Sequence, residues 1–387
     1  MRAIINGRVI LENCILDDKV VLFDTQIKAL INKNEFEKNV NKGSYNGINI
    51  IDAKGAYVSP GFIDLHIHGS GGRDAMDGEL EALKVISQSI AQNGVTGFLP
   101  TTMTMSKKEI YKALDNIREG MKLDLGGARV LGAHMEGPFI NPKYKGAQKE
   151  DYIVEPDYNF INGYEDVIKI ITLAPEKDNN FKFIRSVKEN TNIVLSIGHS
   201  DAAYEEAMES IEKGVSHATH LFNAMSPLNH RKPGVIGAVF NSNVNCELIA
   251  DKIHVHPGIF QTVVNIKGVD KVILITDSMR AGCMKDGISE LGGQKVIVKD
   301  NSARLKDGTL AGSILTLNKA VKNIVENTRL NICQAISMVS LNSAKDIGIS
   351  DRKGSIEQGK DADMVIFDEK YNVSHTIVEG KTVFTKM

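Results

Sequence analysis

The 387-residue chain has no tryptophan, only four cysteines and no block of lysine or arginine. Without indole it lacks the usual platform on which lectin-like surfaces stack sugars. Cys14, Cys246, Cys283 and Cys333 lie far apart and form no CxxC pair, which argues against a disulfide framework or a thiolate metal site and fits a reducing compartment. A net charge of −2 without a basic run speaks against nucleic acid or an anionic membrane as partner. No stretch approaches the roughly 18 consecutive apolar residues of a membrane helix. The opening residues MRAIINGRVILENC show no apolar core or small-residue cleavage site, so the expected setting is the cytoplasm. What is present is ordinary globular composition, 42% hydrophobic and 24% charged, at a length suited to one large domain and a small one.

Short alternating segments at Ala3–Ile5, Arg8–Ile10, Lys19–Phe23 and Gln26–Ile31, parted by Asn, Gly and Asp, read as small antiparallel strands. The end of the chain reads the same way through Lys353–Asp368, Tyr371–Val373 and Thr376–Phe384. The two ends therefore predict one small β-sandwich domain, residues 1–56 with 355–387. Between them, apolar runs of strand length recur at Tyr57–Ile67, Gly97–Pro100, Arg129–Met135, Val167–Leu173, Ile193–Ile197, His217–Leu221, Cys246–Ala250 and Lys271–Ile275. Helical patterns separate most of these runs, and two more helices, near Leu315–Asn327 and Asn331–Ile347, follow the last. Eight strands alternating with helices predict a parallel α/β sheet closed as a (β/α)8 TIM-like barrel over 57–354. An open doubly wound sheet is the alternative, but no GxGxxG follows the first strand.

In such barrels chemistry sits where strands run out into loops. His66 and His68, in PGFIDLHIHG, are two apart and share one face of a strand. Taken alone, this pair reads equally well as packing. The other strand ends change that reading. They carry His134-Met135-Glu136, His199, His220, Asp251 with His254, and Asp277, so five of the chain's ten histidines fall at strand ends as His66, His68, His199, His220 and His254. Imidazoles with a carboxylate suit Zn²⁺ or Fe²⁺ better than Mg²⁺ or Ca²⁺, and the absence of thiolate favours an open catalytic site over a closed structural one. His134 lies deeper than Glu136, and His217 reads as a satisfied buried histidine. His230-Arg231-Lys232 is a compact cation group, either a solvated patch or an anchor for an anionic substrate group.

These residues resemble the amidohydrolase superfamily, and within it the N-acetylglucosamine-6-phosphate deacetylase family. The resemblance spans nearly the whole chain, through PGFIDLHIHG, GFLPTTMT, GAHMEGPFINPKYKGA, TLAPE, SIGHSDA, ATHLFNAM, PGVIGA, IADKIHVHP, LITDSM and GTLAGS. It implies metal ligands at Glu136, His199 and His220, with His66 and His68 available for a second ion, and an acid–base at Asp277. It further implies substrate contacts at Ala147, Asn223, Ala224, Arg231, His254 and the Leu310-Ala311-Gly312 backbone. Asp251 joins this group from its place at a strand end. Arg231 would reach the phosphate in a neighbouring subunit's site, which implies a homodimer. Gln148 stands where some members carry a histidine that polarises the amide carbonyl, and Lys169 begins its strand rather than ending it, so no carboxylated bridging lysine is expected. The implied reaction is removal of the acetyl group from N-acetyl-D-glucosamine 6-phosphate, a phosphosugar, with one or two divalent ions per chain. A cyclic-amide hydrolase or N-acyl amino-acid deacylase with the same metal core is the alternative within the superfamily. A metal-free scaffold is the non-enzyme alternative, and the full set of ligand types speaks against it.

Overall fold

The computed structural model describes residues 1–45 and 47–386. Its centre is a set of parallel strands: β1 Phe62–Ile67, β2 Val95–Thr102, β3 Ala133–Glu136, β4 Ile168–Leu173, β5 Val194–Ile197, β6 Val215–Ala218, β7 Asn245–Ile249 and β8 Val272–Ile275. Each pairs with the next in sequence order. The ring closes at its C-terminal rim, where Asp277 N–H donates to His66 O at 2.8 Å and His68 N–H to Ser278 O at 2.9 Å. The result is a TIM-like barrel, and its strands are buried on both faces, as near-continuous apolar runs require.

The first expected strand, Tyr57–Ile67, is two strands. Tyr57–Pro60 belongs to an outer sheet, and the chain enters the barrel only after Gly61. No side chain fits at that junction, because a Cβ on Gly61 would lie 2.2 Å from Thr96 Oγ1. The outer sheet runs Lys381–Thr385, Val373–Val378, Met364–Phe367, Tyr57–Pro60, Arg8–Ile10, Ile15–Leu16, and it packs on a second sheet of Ile27–Asn32, Lys19–Phe23, Arg2–Ile5 and Asn49–Asp52. Alternation along Met364–Phe367 explains how the two units join. Met364 and Ile366 enter the core between the sheets, while Val365 and Phe367 join the barrel core.

Three further differences from the sequence reading are local. A helix at Lys33–Asn41 covers the second sheet through Phe36. The expected helix Asn331–Ile347 is broken into Ile332–Ser337 and Leu341–Asp346. After β8 a three-stranded antiparallel sheet, Gly287–Leu291, Gln294–Lys299 and Ser302–Arg304, turns at Gly292-Gly293. Its inner face packs Leu291, Val296 and Val298 with Met103 and Met279, roofing the barrel mouth. Among the described residues no helix is long and apolar enough to cross a membrane.

Candidate active site

The barrel mouth holds a cavity of about 320 Å³ under that roof. Its floor carries His68, Glu136, His199, His220 and Asp277, and its walls include Ala147, Gln148, Asn223, Ala224, His254, Leu310 and Gly312. Ala311 is buried behind the wall. Asp251 stands behind His254 and accepts from its Nδ1–H at 2.7 Å. His230 and Arg231 are exposed and do not line the cavity of their own chain. Lys169 is turned away from the site, its Nζ on Asp166 O.

Glu136, at the end of β3, is shared by two groups of imidazoles. Its Oε1 lies 3.1 Å from both His199 Nε2 and His220 Nε2, which are themselves 3.2 Å apart. His66 Nε2 is 3.4 Å from the same oxygen, and His68 Nε2 is 3.3 Å from Oε2. Asp277 Oδ1 faces His68 Nε2 at 3.4 Å and His66 Nε2 at 3.6 Å. The backbone at these strand ends is held in a conformation that non-glycine residues rarely adopt, with φ of 49° at His199, 29° at His220 and 47° at Asp277. Such strain, of order 1–3 kcal/mol per residue, persists only where surrounding contacts enforce it. Here Ser313 N–H donates to Asp277 O at 2.7 Å, and Glu176 ties Ser200 Oγ at 2.7 Å and Asn141 Nδ2 at 2.9 Å beside His199.

The rings are aimed as well as gathered. His66 Nδ1–H donates to Glu247 Oε2 at 2.9 Å, His68 Nδ1–H to Thr101 O at 3.2 Å, and His199 Nδ1–H to Tyr144 O at 2.8 Å. With those protons committed, each ring, when neutral, presents its Nε2 lone pair to Glu136 or Asp277. Lone pairs facing carboxylates repel unless positive charge lies between them. His66 Nε2 is buried without a hydrogen-bond partner. Burial alone would depress the His68 imidazole, but Asp277 and Glu136 push it up to about 10. Burial would likewise raise the carboxyls of Glu136 and Asp277, yet the facing imidazoles hold both below the usual range. The cluster thus calls for a cation. Donor atoms around a four-coordinate zinc or iron with bonds near 2.0–2.1 Å are about 3.3–3.4 Å apart, close to the separations found here. Glu136 with His199 and His220 forms one such group, and His66, His68 and Glu136 another.

Of the residues around the floor, His134 and His217 lie buried as expected, while Gln148 and His220 show details the sequence does not. Gln148 does not present a free amide to the cavity. Its Nε2–H donates to Glu136 Oε2 at 2.6 Å and its Oε1 accepts from Thr104 N–H at 2.7 Å. His134 is deep and neutral, donating from Nδ1 to Leu65 O at 3.0 Å and accepting at Nε2 from Thr172 Oγ1 at 2.7 Å. Strand β6 ends at Ala218, so His220 lies beyond it, while His217 is enclosed between Glu247 and Asp346. Sequence reasoning passed over Glu247 and the roof. A charged residue inside the apolar run Cys246–Ala250 signals the first, and Gly292-Gly293 between alternating segments signals the second.

Residues 57–383 match the profile described as the amidohydrolase family. An N-acetylglucosamine-6-phosphate deacetylase of Bacillus subtilis is 42% identical, covering 92% of this chain and 96% of its own. An N-acetylgalactosamine-6-phosphate deacetylase of Escherichia coli O157:H7 is 34% identical over 86% of this chain and 89% of its own. The crystal structure of an N-acetylglucosamine-6-phosphate deacetylase from Pasteurella multocida superposes with a TM-score of 0.93 at 31% identity, over the full length of both chains. Barrel, outer sheets and the imidazole–carboxylate floor thus coincide with a family match over most of the sequence, and the chain belongs to the amidohydrolase family.

Proposed function

We propose that the chain hydrolyses the amide bond of N-acetyl-D-glucosamine 6-phosphate, giving D-glucosamine 6-phosphate and acetate. The observation that carries this reading is the convergence of Glu136, His199, His220 and Asp277 at the floor of one cavity, in a chain 42% identical to a deacetylase of that name. Glu136, His199 and His220 would hold one divalent ion, zinc or iron, and His66 and His68 with Glu136 would hold a second if one binds. Such a cation supplies positive charge that acidifies water and polarises the acetyl carbonyl. Asp277 takes a proton from the attacking water at Oδ1 and returns it to the departing sugar nitrogen. His254, fixed by Asp251, orients the sugar with Asn223 and Ala224, and the roof segment Leu310–Gly312 closes over it. Gln148 supports this chemistry by holding Glu136. In this reading the barrel carries the reaction, and the outer sheets, built from both ends of the chain with Tyr57–Pro60, support it.

The 6-phosphate calls for a cation, and Arg231 is exposed and does not line the cavity of its own chain. Arg231 of a second copy in a homodimer meets that need, and a phosphate-pairing guanidinium discriminates against the free sugar. The setting is cytoplasmic, where phosphorylated sugars are found. The alternative of a cyclic-amide hydrolase or N-acyl amino-acid deacylase is not favoured, since the relatives that span this chain carry the deacetylase name.

The test is acetate release by purified, metal-loaded protein from N-acetylglucosamine 6-phosphate, its galacto epimer and unphosphorylated N-acetylglucosamine. The first should be turned over fastest and the last poorly. No acetate from the first sinks the proposal, and faster turnover of the galacto epimer reassigns the substrate. Mixing Arg231→Ala and Asp277→Asn chains should restore activity that each lacks alone, because one site of the mixed dimer then has both groups.

A further inference from the structure

His220 is the one member of the floor whose ring has no anchoring partner: its Nδ1 is buried without a hydrogen bond. His66, His68 and His199 are each fixed through Nδ1. What fixes His220 is its main chain, whose N–H donates to Glu247 Oε2 at 3.0 Å. The same oxygen accepts Nδ1–H of His66 at 2.9 Å. One carboxylate oxygen therefore holds two histidines of the site from distant segments of the chain, one by its ring and one by its backbone.

Glu247 lies on β7, fully buried inside the barrel. Its other oxygen faces His217 Nε2 at 3.3 Å, and His217 Nδ1 faces Asp346 Oδ2 at 2.9 Å. Asn245 completes the file by donating to Asp346 Oδ1 at 2.6 Å. A buried ion-pair file in a barrel interior is weak evidence of added stability, since apolar residues of similar volume often serve as well. The orientation it imposes is specific: with Nδ1–H turned to Glu247, His66 presents Nε2 to Glu136 Oε1 at 3.4 Å.

We propose that Glu247 is a positioning residue of the cation site, fixing the ring of His66 and the backbone of His220 so that both Nε2 atoms face Glu136. This rests on the reading of that floor as a cation site. Carboxylates behind metal-binding imidazoles orient the ring and raise its basicity, and removing one lowers metal affinity about 10–100-fold.

Two variants separate positioning from bulk stability. Glu247→Gln keeps the size and removes the charge, while Asp346→Asn weakens the same buried file one link further from the floor. Metal-stripped proteins are titrated with Zn²⁺ against a competing chelator, and the metal-free chains are melted in parallel. Glu247→Gln should bind Zn²⁺ about 10–100-fold more weakly, with Asp346→Asn near wild type in affinity even if its melting temperature falls. Equal affinity of Glu247→Gln and wild type overturns the proposal, as does equal weakening in Asp346→Asn. A wild type that binds no Zn²⁺ overturns the cation-site reading and this proposal with it, a result distinct from the other two. If Glu247→Gln does not fold, histidine nitrogen-15 spectra of Zn²⁺-loaded wild type decide. His66 should carry its proton on Nδ1, and a proton on Nε2 overturns the proposal.

Discussion

Replacing Gln148 with leucine keeps a side chain of similar size in a nearly closed position, 4% exposed, and removes both of its hydrogen bonds. The Thr104 N–H now paired at 2.7 Å would be left buried and unsatisfied, which costs about 1–3 kcal/mol. Glu136 would lose a bond to its ionised oxygen at 2.6 Å, and bonds to charged groups contribute about 1.5–3 kcal/mol. Leucine returns part of this through apolar burial, leaving a net loss of about 2–4 kcal/mol. Urea unfolding of the metal-free chain measures it as a lower midpoint at unchanged slope. Gln148→His should fall between the two, since one imidazole cannot reproduce an amide that donates to Glu136 and accepts from Thr104. A Gln148→Leu loss under about 0.5 kcal/mol, within the usual range of surface changes, would refute the account of what holds Glu136 in place.

Three more expectations follow from the geometry. Asp277→Asn should lower kcat by about 10²–10⁴-fold, the usual worth of a proton-transferring group, with metal content per chain unchanged; a fall of less than tenfold would remove Asp277 from that role. Burial, with His66 beside it, holds the His134 imidazole down to about 3 from an ordinary 6.5. Unfolding therefore takes up a proton between those values, so stability is full above pH 6.5 and falls as pH drops towards 3, by up to roughly 5 kcal/mol. His134→Gln should flatten that acid limb in metal-free protein, and an unchanged slope would contradict it. Gly380 has φ of 77° and leaves no room, since a Cβ there would lie 1.7 Å from Asp24 O. Gly380→Ala should thus cost more than the ~1–2 kcal/mol of a left-handed alanine, and a change in melting temperature too small to measure would argue against that contact.

The barrel was legible because each parallel strand is buried on both faces and so reads as an apolar run, and the histidines that end those runs stand out against them. Boundaries failed where pairing partners lie far away in sequence. Nothing local says that Tyr57–Pro60 pairs with Met364–Phe367 while Phe62–Ile67 pairs with Val95–Thr102. Glu247 was hidden because a charge in a strand normally marks a solvent face, and only the fold reveals that His66 and His217 surround it. The hydrogen bonds of Gln148 were hidden for a related reason, as its partners Thr104 and Glu136 arrive from two other segments. The roof alternates clearly around Gly292-Gly293, but one exposed face and a short length make it resemble an ordinary surface hairpin.

The ladder between Pro60 and Met364 also fixes an order of events during synthesis. His66 sits six positions after Pro60 in a nearly continuous path, and Gly61 N–H is held by Asp363 O at 2.9 Å. β1, which carries His66 and leads into His68, is therefore seated by residues far later in the chain. Asp277 can face His66 only after β8 is made, and the outer sheet can lock β1 only after Phe367 has emerged. Long-range pairing of this kind is slow to form, so β1 takes its final seat late in folding. A protein truncated before Met364 would keep His66, His68, Glu136, His199 and His220 in its sequence and still lack the ladder that seats the strand leading into the first two.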